Sequence, residues 1–391
     1  MRMRKATSAL VGLLLAGVAA TPAHAQTIRE QQWHLDAMKA DEIWKISTGK
    51  GVTVAVIDTG VARIPELEGQ VLPGKDFAAG QKGYAGDERS DWDKHGTGIA
   101  SMIAGSGRHP SGDGAYGLAP GAKILPIRVP HDMTLTTPSW ASAIRYAADS
   151  DARIINISLA VAGSTADDQM RSEAVRYALS RGKLIFAAVG NDGDTVNRIE
   201  YPAATPGVVG VAAVDVDGAA TKESQHGPQV DISAPGIDIV SACSGTTQLC
   251  KSHGTSDASA LASASAALLW SAHPDWTNNQ VLRVLLNTAG KPVDGAGRND
   301  YVGYGVVRPR VAVPTPGDPG PADVYPLPDL AAAAAPGGKT AETGASKPVP
   351  LPEASVKKSD GSSLPWIALG LGACVVIGGA VTAVAVRRNR R

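Results

Sequence analysis

An α/β domain built on a mostly parallel sheet, with helices covering both faces, is what this sequence predicts. From Gly51 to about Arg310, short apolar runs alternate with stretches of helical periodicity, the pattern of strands joined by crossover helices. The polar residues able to do chemistry fall at the ends of those runs or at the starts of those helices, the rim of a parallel sheet where ligand crevices form. With 391 residues the chain can bury a large core; only two are Phe, so that core rests on Val, Ile, Leu and Ala.

Taken in order, the chain opens with the basic Met1-Arg-Met-Arg-Lys5, the apolar Ala9–Ala20 and the small-x-small site Ala23-His-Ala25. This is the layout of a secretory leader over 1–25, with Gln26 as the mature N-terminus. Residues 26–49 form an N-terminal extension, and 50–310 form the main domain. Its expected strands are Val52–Ile57, Ile124–Val129, Ile154–Ser158, Leu184–Ala188, Val208–Val214 and Val230–Ser233. Its expected helices are His95–Ala104, Ser139–Ala148, Asp168–Ser180, Ser256–His273 and Asn278–Ala289. The loop Leu72–Asp93, with Gly80, Gly83 and Gly86, reads as a flexible insertion able to shield a crevice. Residues 311–363 are rich in Pro, Ala and Gly, a composition that buries too little apolar surface to offset chain entropy, and read as a stalk. Leu364 to Val386 carries no charge and is long enough to cross a hydrocarbon core of about 30 Å. The Arg387-Arg-Asn-Arg-Arg391 tail then marks the cytoplasmic side, leaving the main domain outside the membrane. All 37 acidic residues lie between leader and tail, while seven of the 37 basic ones lie within them. The exported part is therefore net negative, which disfavours nucleic-acid binding.

Three segments carry the chemistry. Gly51-Val-Thr-Val-Ala-Val-Ile-Asp58-Thr-Gly60 ends a strand in a carboxylate, Lys94-His-Gly-Thr-Gly98 opens a helix with an imidazole, and His253-Gly-Thr-Ser-Asp-Ala-Ser-Ala260 opens another with a hydroxyl. A serine hydroxyl is a poor nucleophile unless an imidazole accepts its proton, and a carboxylate must orient that imidazole. Asp58-Thr59-Gly60 alone would also suit an aspartic protease, but that needs two carboxylates sharing a proton, and no second such triplet occurs. Gly254-Thr-Ser256 alone would suit a helix cap. A fourth segment, Leu184-Ile-Phe-Ala-Ala-Val-Gly-Asn191, ends a buried strand in an amide.

The order Asp58, His95, Ser256, together with Asn191, resembles the subtilase family of serine proteases. The resemblance implies a subtilisin-like three-layer fold, to which the apolar run 364–386 adds one C-terminal transmembrane helix. It assigns Asp58, His95 and Ser256 as the catalytic triad and Asn191 as the oxyanion donor. It places Ser158, Leu159 and Ala160 on one wall of the pocket for the residue before the cut, and Ala188, Val189 and Gly190 on the other. Ala160 departs from the glycine usual there, and its methyl group would narrow the pocket towards small or modest apolar side chains. Ala260 replaces a usual proline. Asp257 replaces a neutral residue; it is expected to point to solvent, where it suits a helix N-terminus, the alternative being a carboxylate near His95 that raises the imidazole pKa. Cys243 and Cys250 share an exported loop, where a disulfide or two free thiols are open to them and export favours the disulfide. Cys374, within the expected span, cannot join them.

The segment Gln32 to Gly49, the stalk, the single span and the basic tail resemble the mycosins, membrane-anchored subtilases associated with type VII secretion. No room is left for the folding prosegment of many secreted subtilases. No cofactor and no metal is expected. The expected partners are a peptide or protein substrate, the membrane through the C-terminal helix, and a type VII secretion membrane complex. The competing reading is a scaffold subunit of such a complex with secondary or lost proteolysis.

Overall fold

The computed structural model describes residues 26–130, 136–163, 165–245 and 248–334, all within one unit that ends at Gly338. The expected leader, membrane span and tail lie outside these residues. Seven strands build the sheet: β1 Thr53–Asp58, β2 Lys75–Asp76, β3 Lys123–Arg128, β4 Ile154–Ile157, β5 Leu184–Ala188, β6 Val209–Val214 and β7 Ile232–Pro235. They lie in the order β2-β3-β1-β4-β5-β6-β7, and every pairing is parallel. The principal helices are α1 His95–Ala104, α2 Thr136–Asp149, α3 Thr165–Ser180, α4 Thr255–Ala272 and α5 Asn278–Thr288. Chain direction across the sheet reverses between β1 and β4, which opens a crevice beyond their carboxyl ends.

Alternate side chains of each strand serve opposite faces. Val54 and Val56 join Phe186 and Val211 in a core shared with Ile99, Ile103 and Leu261 of α1 and α4. Ala55 and Ile57 join Ile155 and Ile185 in a second core with Trp140, Ile144 and Val175 of α2 and α3. Each fully buried aliphatic side chain contributes about 1.5–3 kcal/mol, and with both faces covered the strands have no polar side to show. Helix α4 is buried all round and is built of Ala, Ser and Leu, small enough to lie close against the sheet.

The structure departs from expectation at both ends of the domain. Residues 26–49 are part of the core: Leu35, Met38, Ala40 and Ile43 are buried within it. Gln32, wholly enclosed, donates to the carbonyls of Tyr116 and Val240 and accepts from the Tyr116 amide. The stalk's beginning also packs. Ala312, Val313 and Leu327 are buried, and the Arg283 guanidinium donates to the carbonyls of Pro319, Pro321 and Val324. A proline-rich segment keeps its carbonyls as acceptors, and one guanidinium collects three of them. The loop 72–93 is likewise tied down. Arg128, wholly buried, pairs with Asp76 at 3.2 Å and donates to the Tyr84 and Ala85 carbonyls. Among the described residues, no helix is long and apolar enough to cross a membrane.

Candidate active site

Strand β1 delivers Asp58 to the sheet's rim and α1 starts at His95, so the two meet where strand end and helix start converge. His95 Nδ1 lies 2.7 Å from Asp58 Oδ1, which also accepts the Thr59 amide at 2.7 Å. That close approach requires glycine at 96, because a Cβ there would stand 2.2 Å from the Gly60 carbonyl oxygen. Asp91, a residue the sequence did not flag, ties both pieces together. Its Oδ1 accepts the Thr59 hydroxyl at 2.7 Å and the Lys94 amide at 2.9 Å, and its Oδ2 accepts the Thr97 amide at 2.8 Å. Asp91 lies in a loop of Asp, Ser and Gly residues, where no pattern marks one carboxylate above its neighbours.

Helix α4 starts one residue before Ser256 and is pinned to β4. The hydroxyls of Ser259 and Ser263, one turn apart, both donate to the buried Asn156 Oδ1, at 2.9 and 3.0 Å. Ser158 and Ser256 then exchange two bonds: Ser158 Oγ donates to the Ser256 carbonyl at 3.0 Å, and Ser256 Oγ donates to the Ser158 carbonyl at 2.8 Å. The Ser256 hydroxyl is thus directed at a backbone carbonyl, and it makes no hydrogen bond to His95. Nucleophile–base bonds are often long or turned aside before substrate binds.

Asn191 follows β5. Its Oδ1 accepts the amide and hydroxyl of Thr255, at 2.8 and 3.1 Å, which fixes the side-chain plane and leaves Nδ2 as the donor on an exposed side chain. Because β4 and β5 are neighbours, Ser158, Leu159 and Ala160 emerge beside Ala188, Val189 and Gly190. Thr255 Oγ1 also accepts the Gly190 amide, joining the end of β5 to helix α4.

Burial is the largest single influence on His95 and pulls its pKa down. The charge and hydrogen bond of Asp58, with the charges of Asp257 and Asp93, outweigh it and leave the imidazole pushed up to about 9. Asp257 corrects the sequence reading. Its side chain is turned inwards, 3% exposed, with Oδ2 accepting the Ser252 hydroxyl at 2.7 Å, and burial lifts its pKa to about 6. An inward carboxylate on the first turn suits the helix N-terminus as well as an outward one would. Ala260 is buried within α4, which continues without a break. Cys243 and Cys250 form a disulfide, with Cα atoms 5.8 Å apart, across the hairpin of β8 Ile239–Ala242 and β9 Leu249–Ser252 that leads into Ser256. No cluster of three or more metal-ligating side chains occurs among the described residues.

A parallel α/β sheet with this acid, imidazole and hydroxyl at its switch point defines a serine hydrolase architecture. A family model described as the subtilase family matches residues 49–305, and the chain belongs to that family of serine endopeptidases. Its fold is accordingly subtilisin-like. Mycosin-1 of Mycobacterium tuberculosis is 33% identical over 342 residues, 74% of this chain and 74% of that one. The thermostable alkaline protease of Halalkalibacterium halodurans is 35% identical over 242 residues, 62% of this chain; the match spans 63% of the relative's own length. Among solved structures, MycP1 from the ESX-1 type VII secretion system superposes with a TM-score of 0.65 at 30% identity, covering 77% of this chain and 90% of that one.

Proposed function

We propose that this chain is a membrane-anchored extracytoplasmic serine endopeptidase that cuts peptide bonds with Asp58, His95 and Ser256 and works beside a type VII secretion complex. The observation that carries the chemistry is the 2.7 Å contact between Asp58 and His95, with Ser256 at the start of the helix pinned to the neighbouring strand. Rotation of the Ser256 side chain takes its proton from the Ser158 carbonyl to His95 Nε2 as Oγ attacks the substrate carbonyl. Asn191 Nδ2 and the α4 N-terminus meet the oxyanion, a donor worth about 10²–10³ in turnover. The imidazolium then protonates the leaving amine, and water reverses the sequence to release the acid. Ser158, Leu159, Ala160, Ala188, Val189 and Gly190 hold the side chain before the cut.

The disulfide Cys243–Cys250 supports an oxidising compartment. The leader 1–25, span 364–386 and basic tail 387–391 support a single pass with the catalytic domain outside. Likeness to Mycosin-1 and to MycP1 supports the secretion setting. Turnover of peptides by wild type and by Ser256→Ala tests the chemistry, with a loss of about 10⁶ expected; equal rates sink it. Secretion that survives Ser256→Ala but fails on deletion of the chain would favour the scaffold reading.

A further inference from the structure

We propose that Glu200 makes the pocket for the residue before the cut selective for a cationic side chain, so that the chain cleaves after lysine or arginine. This rests on the protease reading and on the two pocket walls named above.

Glu200 is held against both walls. On one side it lies in a two-residue strand, Glu200–Tyr201, paired antiparallel with Val161–Ala162, so that Glu200 stands opposite Ala162, two residues beyond the wall residue Ala160. On the other side is Gly190, at φ 112°, and the space its Cβ would fill is already occupied. Glu200 Oε2 lies 2.6 Å from that point and Gln225 Nε2 lies 2.3 Å from it. The backbone at φ 112° favours glycine here, and the ends of the Glu200 and Gln225 side chains fill the space a Cβ would take. Gln225 is committed elsewhere: wholly buried, it donates to Asp192 Oδ1 at 2.5 Å. A second carboxylate therefore stands one residue past Asn191.

Among the described residues the Glu200 carboxyl has no hydrogen-bond donor and no ion pair. The nearby cations are engaged or distant. The Arg171 guanidinium stacks on the Tyr201 ring, 4.2 Å from its centroid, and Arg198 acts on Glu200 only through space. Burial raises the Glu200 pKa and the Asp192 charge raises it further, against the smaller opposing effect of Arg198. A half-buried carboxyl in that state gains from any cation that enters, because the ligand supplies both the counter-charge and the missing donors. An apolar side chain would instead remove its remaining water and return nothing. The small apolar preference expected from Ala160 considered the pocket's width alone; the charge between its walls reverses the expected choice, and a slender lysine stem passes a wall narrowed by one methyl group.

The test uses the full-length protein in detergent micelles and peptides that differ only in the residue before the cut: Lys, Arg, Gln, Leu and Ala. The expected result is kcat/KM at least tenfold higher for Lys and Arg than for Leu and Ala. In Glu200→Gln the Lys-to-Leu ratio should fall by about tenfold to a hundredfold, with Glu200→Asp retaining part of it. Labelling of Ser256 by diisopropyl fluorophosphate reports an assembled site in each variant. Wild type that cleaves after Ala or Leu better than after Lys overturns the inference, as does an unchanged ratio in labelled Glu200→Gln; both leave the protease reading intact. Neither turnover nor labelling in wild type would overturn both.

Discussion

Asp257 sits one residue past Ser256, the nucleophile of the proposed mechanism, and acts on the neighbouring imidazole. In the proposed mechanism His95 is the general base and must be uncharged, so kcat/KM should climb as pH rises through the imidazole pKa, which Asp58, Asp257 and Asp93 hold near 9 against burial. Removing one of those negative charges lowers that pKa. Asp257→Asn should therefore move the acid limb of the pH–rate profile to lower pH and raise activity severalfold at pH 7, with the Ser252 bond kept by the amide oxygen. A limb that stays where it was would show that Asp257 does not act on His95. Asp93 remains on the same side of the balance, so the limb should not fall all the way to an unperturbed histidine's.

At the scale of elements, the strands and helices that build the site follow from local pattern, and their observed limits differ by only a few residues from those expected. Helix α1 begins at His95 because the Lys94 backbone, at φ 70°, turns the chain there, and α4 runs through the expected 256–272 because Ala and Ser fill it. Sequence could place Asp58, His95, Ser256 and Asn191 on one rim, since each closes or opens a recognisable element. It could not reveal Asp91, Glu200 or the inward turn of Asp257, because their partners lie in loops or on other elements, and a carboxylate's direction is set by what it meets. Strand β7 and its loop carry another such case. Asp231, at the foot of β7, keeps some exposed surface, but its carboxyl is turned onto the Gly210 amide at 2.9 Å. Burial, with the charge of Asp329, raises its pKa from 3.8 to about 8 against that hydrogen bond. The folded form thus holds a proton that the unfolded chain releases, and stability is present in full below about pH 4 and is lost as pH rises through 8. Asp231→Asn keeps an acceptor for Gly210 and cannot ionise. Its thermal midpoint should match wild type near pH 4 and exceed it by several degrees at pH 8; a parallel pair of curves would refute the assignment.

For the whole molecule, the working domain is longer at both ends than the stretch read from the catalytic motifs. Residues 313–334 are tied to the domain at the turn before β6: Tyr325 Oη donates to the Gly207 carbonyl at 3.1 Å, and Asp329 Oδ2 accepts the Gly207 amide at 2.6 Å. Leu327, 3% exposed, adds apolar burial of the kind whose deletion costs about 2–5 kcal/mol. A chain ended after Arg310 should therefore melt well below one ended after Gly338, by roughly ten degrees or more in calorimetry. Equal midpoints would return this segment to the stalk.

The bonds of Gln32 bear on the order of assembly. A polypeptide appears from its amino end, yet Gln32 must wait for the carbonyl of Val240, and Arg310 reaches back to the carbonyl of Ala37. Closures spanning over two hundred residues are slow and come after local structure. A nascent fragment thus holds Asp58 and His95 while Gln32 still waits for Val240 and the helix that carries Ser256 is unmade, and the blade of this protease is sheathed by its own incompleteness until most of it has been made.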